Sequence, residues 1–311
     1  MTDESLEQPR SELDGTGRGL SPTPGAGISA AMFEDDDLPE TAVLYAQGEI
    51  AAGVAAMRLL MDAASPEAAR DVLRRAERRL GAMGEVEALL TGEAFATVEG
   101  VLRAIDHGGT VTTPAEWGRA FDRACAVSPV ASVALYTLGD PERLRAATDE
   151  VVAWLALQGV LGADRRVLEI GCGAGRFVEA LAPRVGFVAG LDVSSAMAAE
   201  ARRRARARPN AAVVRTAGRD LAAFASGSFD LLLAVDSFPY LVKAGVAEAH
   251  LEEAARVLRP DGELVILNWS YEAPYEPPPA PGLTPVPLSG FELRLWDGVG
   301  FRLRKRSQGF D

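Results

Sequence analysis

Histidine and cysteine are nearly missing from this sequence, with two of each in 311 residues. Cys125 and Cys172 are too few for a disulfide framework or a zinc site, and His107 and His250 add little for a transition metal, so no metal is expected. Basic residues are also in deficit, 32 against 44 acidic ones, for a formal net charge of -12. Phosphate binding needs a surplus of lysine and arginine, so a nucleic-acid partner is not expected. The one basic run, "ARRRARARP" from Ala201 to Pro209, reads as a solvated helix face. No apolar run is long enough to cross a bilayer, which argues against a membrane partner. The opening "MTDESLEQPRSELDGTGRGL" has neither the basic front nor the apolar centre of a signal peptide, and a cytoplasmic location is expected. What is abundant is ordinary core material: 48% of residues are hydrophobic, enough for one large domain or two.

Three sections separate along the chain. Residues 1–38 are rich in Gly, Pro, Ser and acids and are expected to form a disordered tail. Residues 39–138 carry helical spacing, with one stripe at Ile50, Val54, Met57 and Met61 and another at Leu90, Ala94, Val98, Val101 and Ile105. Ser65, Thr113 and Asp140 each stand before a proline as helix caps, and Thr113 with Glu116 fits a capping box. Met57, Met61 and Met83 read as packing residues. Residues 139–311 alternate strand and helix, with strands expected at Arg166–Ile170, Phe187–Asp192, Ala212–Arg215, Leu231–Val235 and Glu263–Asn268. That alternation means a parallel sheet with helices on both faces. A hairpin, Glu292–Trp296 and Phe301–Arg304 around Asp297-Gly298, ends it. The proline-rich "YEAPYEPPPAPGLTPVPLSG" stands where a helix would otherwise precede that hairpin.

The first strand runs into "VLEIGCGAGRF". Gly171, Gly173 and Gly175 allow a sharp turn and close approach of a ligand to the backbone. The spacing departs from the dinucleotide fingerprint G-x-G-x-x-G, because position 176 is Arg. Asp192 closes the second strand 21 positions after Gly171, where a carboxylate can accept hydrogen bonds from both hydroxyls of a ribose. Glu169 beside the turn would repel a phosphate yet favour an ammonium or sulfonium group.

Together "VLEIGCGAGRF", "GLDVSSAMAAEA", "SGSFDLLLAVDSFPYL" and "EEAARVLRPDGELVIL", in this order and spacing, resemble the class I methyltransferases that use S-adenosylmethionine, over about the last 170 residues. The resemblance implies an α/β, Rossmann-like seven-stranded sheet, parallel with a C-terminal antiparallel hairpin, preceded here by the all-helical region. It implies S-adenosylmethionine as cofactor, with Gly171, Cys172, Gly173 and Gly175 under its methionine part, Glu169 at the ammonium end and Asp192 on the ribose, flanked by Val193, Met197, Leu221 and Val235. Members usually carry an acid for the adenine after the third strand. Here Gly218 holds that place, so either Asp220 shifts inward or backbone groups of Arg219 and Asp220 do the work. Segments before the first strand commonly cover the cofactor in this fold, which makes Tyr136 a contact.

Methyl transfer needs few catalytic residues, because the sulfonium carries its own leaving group. Asp236, at the end of the fourth strand, either caps the following turn or accepts a proton, and Tyr240 follows Pro239 in a distant resemblance to the proline-aromatic step of amino-group methyltransferases. These two are the candidate catalytic residues. Trp269, Tyr271 and Tyr275 either line an acceptor pocket or pack under the proline-rich loop. Cys172 reads as a small turn residue rather than a nucleophile, His107 as a turn residue and His250 as a surface helix residue rather than a base, so neither histidine is placed in the site. The function expected is transfer of a methyl group to O or N of a small molecule. Two other readings remain: a nucleotide-dependent oxidoreductase, and a non-catalytic regulator that binds the cofactor. The helical region is a lid, a docking platform or the dimerisation unit of a homodimer.

Overall fold

The computed structural model describes residues 38–81, 83–105, 112–267, 291–296 and 300–305. The first section is helical: α1 (Glu40–Ala46), α2 (Ala52–Asp62), α3 (Pro66–Leu80), α4 (Gly84–Leu89), α5 (Gly92–Ala104) and α6 (Pro114–Val127). A 3-10 turn at Leu135–Thr137 leads into α7 (Pro141–Leu157). The proline-marked starts are capped as their sequences require. Ser65 Oγ accepts from the Ala68 N–H, Thr113 and Glu116 form a capping box, and Asp140 accepts from the N–H groups of Glu142 and Arg143. The second hydrophobic stripe, Leu90 to Ile105, is buried throughout. The first is not. Alanines and leucines of α2 fill the core, whereas Met61 is 46% exposed and Met57 only partly buried.

Beyond α7, strand and helix alternate: β1 (Arg166–Ile170), α8 (Arg176–Leu181), β2 (Phe187–Asp192), α9 (Ser195–Ala205), β3 (Ala211–Arg215) and β4 (Phe229–Val235). There follow α10 (Phe238–Lys243), α11 (Ala247–Val257), β5 (Leu258–Leu267), β6 (Phe291–Trp296) and β7 (Gly300–Lys305). The sheet order is β3-β2-β1-β4-β5-β7-β6, with β7 antiparallel to both β5 and β6. An α/β fold with a mixed sheet behind a helical region is therefore observed. Successive strand residues face opposite layers: Val167, Leu231, Leu233 and Val235 pack under α7 and α8, and Leu168, Leu232 and Ala234 under α11. Among the described residues, no helix is long and apolar enough to cross a membrane. The expected tail, His107, the proline-rich stretch with Trp269, Tyr271 and Tyr275, and the Asp297-Gly298 turn lie outside the described residues.

The two sections meet at the C-terminal edge of the sheet. Asp122 of α6 accepts from Ser194 Oγ at 2.6 Å and from the Ala196 N–H at 2.8 Å, joining α6 to the start of α9. Burial works against the Asp122 charge, but these bonds and one from Ser195 hold its carboxyl below the usual range. Gly118 of α6 lies so close to the Val193 carbonyl that a Cβ would stand 2.9 Å from its oxygen. The site is built across this junction.

Candidate functional site

The parallel strands end in a cavity of about 500 Å³, within the range of small-molecule sites. Its floor is the end of β1 and β2 with the turn after β1. Its roof comes from α2, α5, α6 and residues 131–135. Of the residues singled out from sequence, Glu169, Gly171, Cys172, Gly173, Asp192, Val193, Met197, Gly218, Asp220, Val235, Asp236 and Tyr240 line it.

Four of them do not. Gly175 faces α9, where a Cβ would meet Ala201 Cβ at 2.7 Å, so its glycine serves helix packing. Leu221 is buried in the sheet core, and Arg219 is exposed. Tyr136 lies behind Arg176, whose Nη1 donates to its hydroxyl at 3.4 Å; its neighbours Ser132, Val133 and Leu135 form that wall instead. The segment before the first strand thus covers the cavity through other side chains than the one expected.

The turn after β1 is held in left-handed backbone, with φ of +71° at Gly171 and +50° at Gly173. Side chains at either position would collide with Ser237 Cβ and Val133 Cγ1, each 2.5 Å from a Cβ built there. Asp192 fixes this turn. Its carboxylate accepts from the Gly173 N–H and the Ser194 N–H, both at 2.8 Å, and burial pushes its pKa up to about 6 despite these donors. The Val193 N–H adds a third, weaker donor, and the lone pairs that remain are available to hydroxyl donors. Glu169 is 2% exposed, and its Oε2 has no hydrogen-bond partner among the described residues. Burial raises its pKa well above the ordinary value, against the opposing field of Arg176. A buried acceptor without a donor is costly, and a cationic ligand would supply one.

Arg176, the residue that breaks the dinucleotide spacing, lines the cavity with its side chain 5% exposed. Its Nη2 donates to Asp236 Oδ2 at 3.2 Å. Asp236 has a φ of +56°, a strained backbone for a residue with a side chain, and its N–H donates to the Leu267 carbonyl. Tyr240 packs edge-on against Trp117 and Phe121, with centroids 4.7 and 5.2 Å away. The burial of Cys172 drives its thiol pKa well up, which fits a turn residue and not a nucleophile.

Sequence reasoning missed several wall residues. Met57 and Met61, expected to be core, line the cavity, as do Trp117 and Phe121 of α6. His250, expected on a helix surface, is 3% exposed and also lines it. The signal was present: His250, Ala254 and Val257 share one buried stripe of α11.

Residues 167–262 match the family model described as "Methyltransferase domain". No curated protein sequence matches the chain. Similar solved structures include the YcgJ protein from Bacillus subtilis, at 26% identity and a TM-score of 0.34 over 39% of this chain; the match spans 50% of that protein. A SAM-dependent methyltransferase from Aquifex aeolicus is 21% identical over 54% of this chain and 94% of its own, with a TM-score of 0.41. Haemonchus contortus phosphoethanolamine N-methyltransferase 1, solved with phosphoethanolamine and S-adenosylhomocysteine, is 19% identical over 53% of this chain and 34% of its own, with a TM-score of 0.40.

Proposed function

We propose, from the premise that residues 167–262 carry a methyltransferase domain of the class I family, that this protein transfers a methyl group from S-adenosylmethionine to oxygen or nitrogen of a small-molecule acceptor. The observation that carries the reading is the pair of buried carboxylates at the glycine turn. Asp192 keeps lone pairs for ribose hydroxyls, and Glu169 Oε2 lacks a partner where a cationic methionine end would lie. Asp220 and Gly218 both line the cavity, and the reading assigns the adenine to their side of it. When bound, S-adenosylmethionine supplies an electrophilic methyl with its leaving group attached, so the protein has to align the acceptor and exclude water. The apolar roof does the second, and residues 39–138 act as its lid. Asp236, tied to Arg176, positions the end of β4.

An oxidoreductase reading fares worse, because Arg176 stands where the dinucleotide spacing requires its third glycine, and that glycine falls one position early. A regulator that binds the cofactor without turnover is separated by experiment. The protein is incubated with S-adenosylmethionine carrying a deuterated methyl group and an extract of small molecules, and products are followed by mass spectrometry. The reading expects a labelled compound whose rate of formation at limiting cofactor falls when Asp192→Ala replaces the parent. No labelled compound from protein that binds the cofactor would favour the regulator.

A further inference from the structure

We propose that His250 accepts the proton of the acceptor, and that the acceptor is an aromatic hydroxyl carried on a largely apolar ring. The inference rests on the methyl-transfer reading of the cavity and goes beyond it in naming the base and the substrate class.

The tautomer of His250 follows from one contact. Its Nδ1 stands 2.9 Å from the Val246 carbonyl oxygen, which can only accept, so Nδ1 carries the proton. In the neutral ring Nε2 then holds the lone pair. The ring is 3% exposed, lines the cavity, and makes no other hydrogen bond among the described residues. An imidazole held by a backbone carbonyl, with its basic nitrogen unengaged at a ligand cavity, is arranged as a general base.

The walls select the ring. Tyr240 meets Trp117 and Phe121 edge-on, with Leu241 and Leu102 also in the cavity wall, and such surfaces receive a flat apolar body with few polar groups. Chemistry selects the hydroxyl. A phenolic O–H ionises near pH 10, close enough to imidazole for transfer as the new bond forms, while an aliphatic alcohol is far weaker. Methyl transfer to that oxygen forms one carbon–oxygen bond and breaks the sulfonium carbon–sulfur bond, whose electron pair stays on sulfur. The hydroxyl proton passes to Nε2 of His250 and then to water.

The test uses para-nitrophenol, whose neutral and ionised forms differ in colour, added to the full chain loaded with S-adenosylhomocysteine, at a pH just below the probe's own pKa. The parent protein is expected to bind the probe and shift it to the phenolate band. His250→Asn keeps a donor where Nδ1 meets the Val246 carbonyl, and His250→Gln places an amide near Nε2. Both are expected to hold S-adenosylhomocysteine within about twofold of the parent and to bind the probe without ionising it. Nitrogen NMR of the parent imidazole needs no variant, and should show Nε2 unprotonated until the probe is added. A probe that fails to bind the loaded protein, stays neutral on it, or ionises equally on His250→Asn overturns the proposal. Failure of S-adenosylhomocysteine itself to bind would instead overturn the methyl-transfer reading.

Discussion

A single carboxylate, Asp192, sits where the backbone turn and the proposed ligand compete for the same two oxygens. It holds the turn through Gly173 and Ser194 and would take two ribose hydroxyls on its remaining lone pairs. Charge-assisted bonds of this kind contribute about 1.5–3 kcal/mol each, so Asp192→Ala should weaken cofactor binding at least about tenfold, as read by calorimetry. An unchanged dissociation constant would remove Asp192 from the site. Its raised pKa also gives a pH dependence with a definite sign. Only the ionised carboxyl accepts two hydroxyls, so affinity is full above pH 6 and falls as pH drops through about 6. Asp192→Asn should abolish that step, whereas a step that survives the change would belong to another group. Stability runs the other way: because the folded pKa lies above the unfolded one, this carboxyl favours folding most at low pH and loses that contribution as pH rises from about 4 to 6. The glycines at 171 and 173 and the acids at 169 and 192 were legible at this scale because turn and strand chemistry leaves few residue choices there. Arg176 and His250 were not assigned to the site, since an arginine in a turn and a histidine in a helix have many uses, and only the fold shows which surface each faces.

At the scale of elements, one polar side chain ties α6 to the start of α9, beside the apolar contact of Cys125 and Phe121 with Met197. Asp122 satisfies the Ser194 hydroxyl and the Ala196 N–H at the start of α9, directly after the Asp192 loop. Removing such a cap typically costs about 0.5–2 kcal/mol. Asp122→Ala should therefore lower the melting temperature by a few degrees and loosen cofactor binding several-fold, because the loop it holds carries Val193 of the cavity wall. A melting curve and a titration on the same variant check both, and no change in either would show that the helical region is not coupled to the site at this contact. The elements themselves were largely legible. Strand runs such as "RVLEI" and "FVAGLD" are bounded by polar or glycine residues, and Ser65, Thr113 and Asp140 mark helix starts through caps that the structure contains. The start of β5 was read too late because "RPDG" looks like a turn. There the strand bends, with Asp261 at a φ of +61°, and still pairs Leu258 with Phe229. The junction of α6 with α9 had no sequence signal, since Asp122 and Ser194 are 72 positions apart.

For the whole molecule, the cavity exists only because a helical section is laid over the carboxyl ends of a parallel sheet, where open α/β sheets bind their ligands. Neither section alone encloses it: Met57, Val101 and Trp117 come from one, and Glu169, Asp192 and Asp236 from the other. This explains why the floor could be read from motifs while the roof could not, being assembled from helix faces whose apolar residues look like ordinary core. The central claim is that the floor is a site for S-adenosylmethionine. Calorimetric titration of the full chain with S-adenosylmethionine and, separately, with NAD tests it most directly. The account predicts saturable one-to-one binding of S-adenosylmethionine and no heat with NAD; saturable binding of NAD with none of S-adenosylmethionine would contradict it.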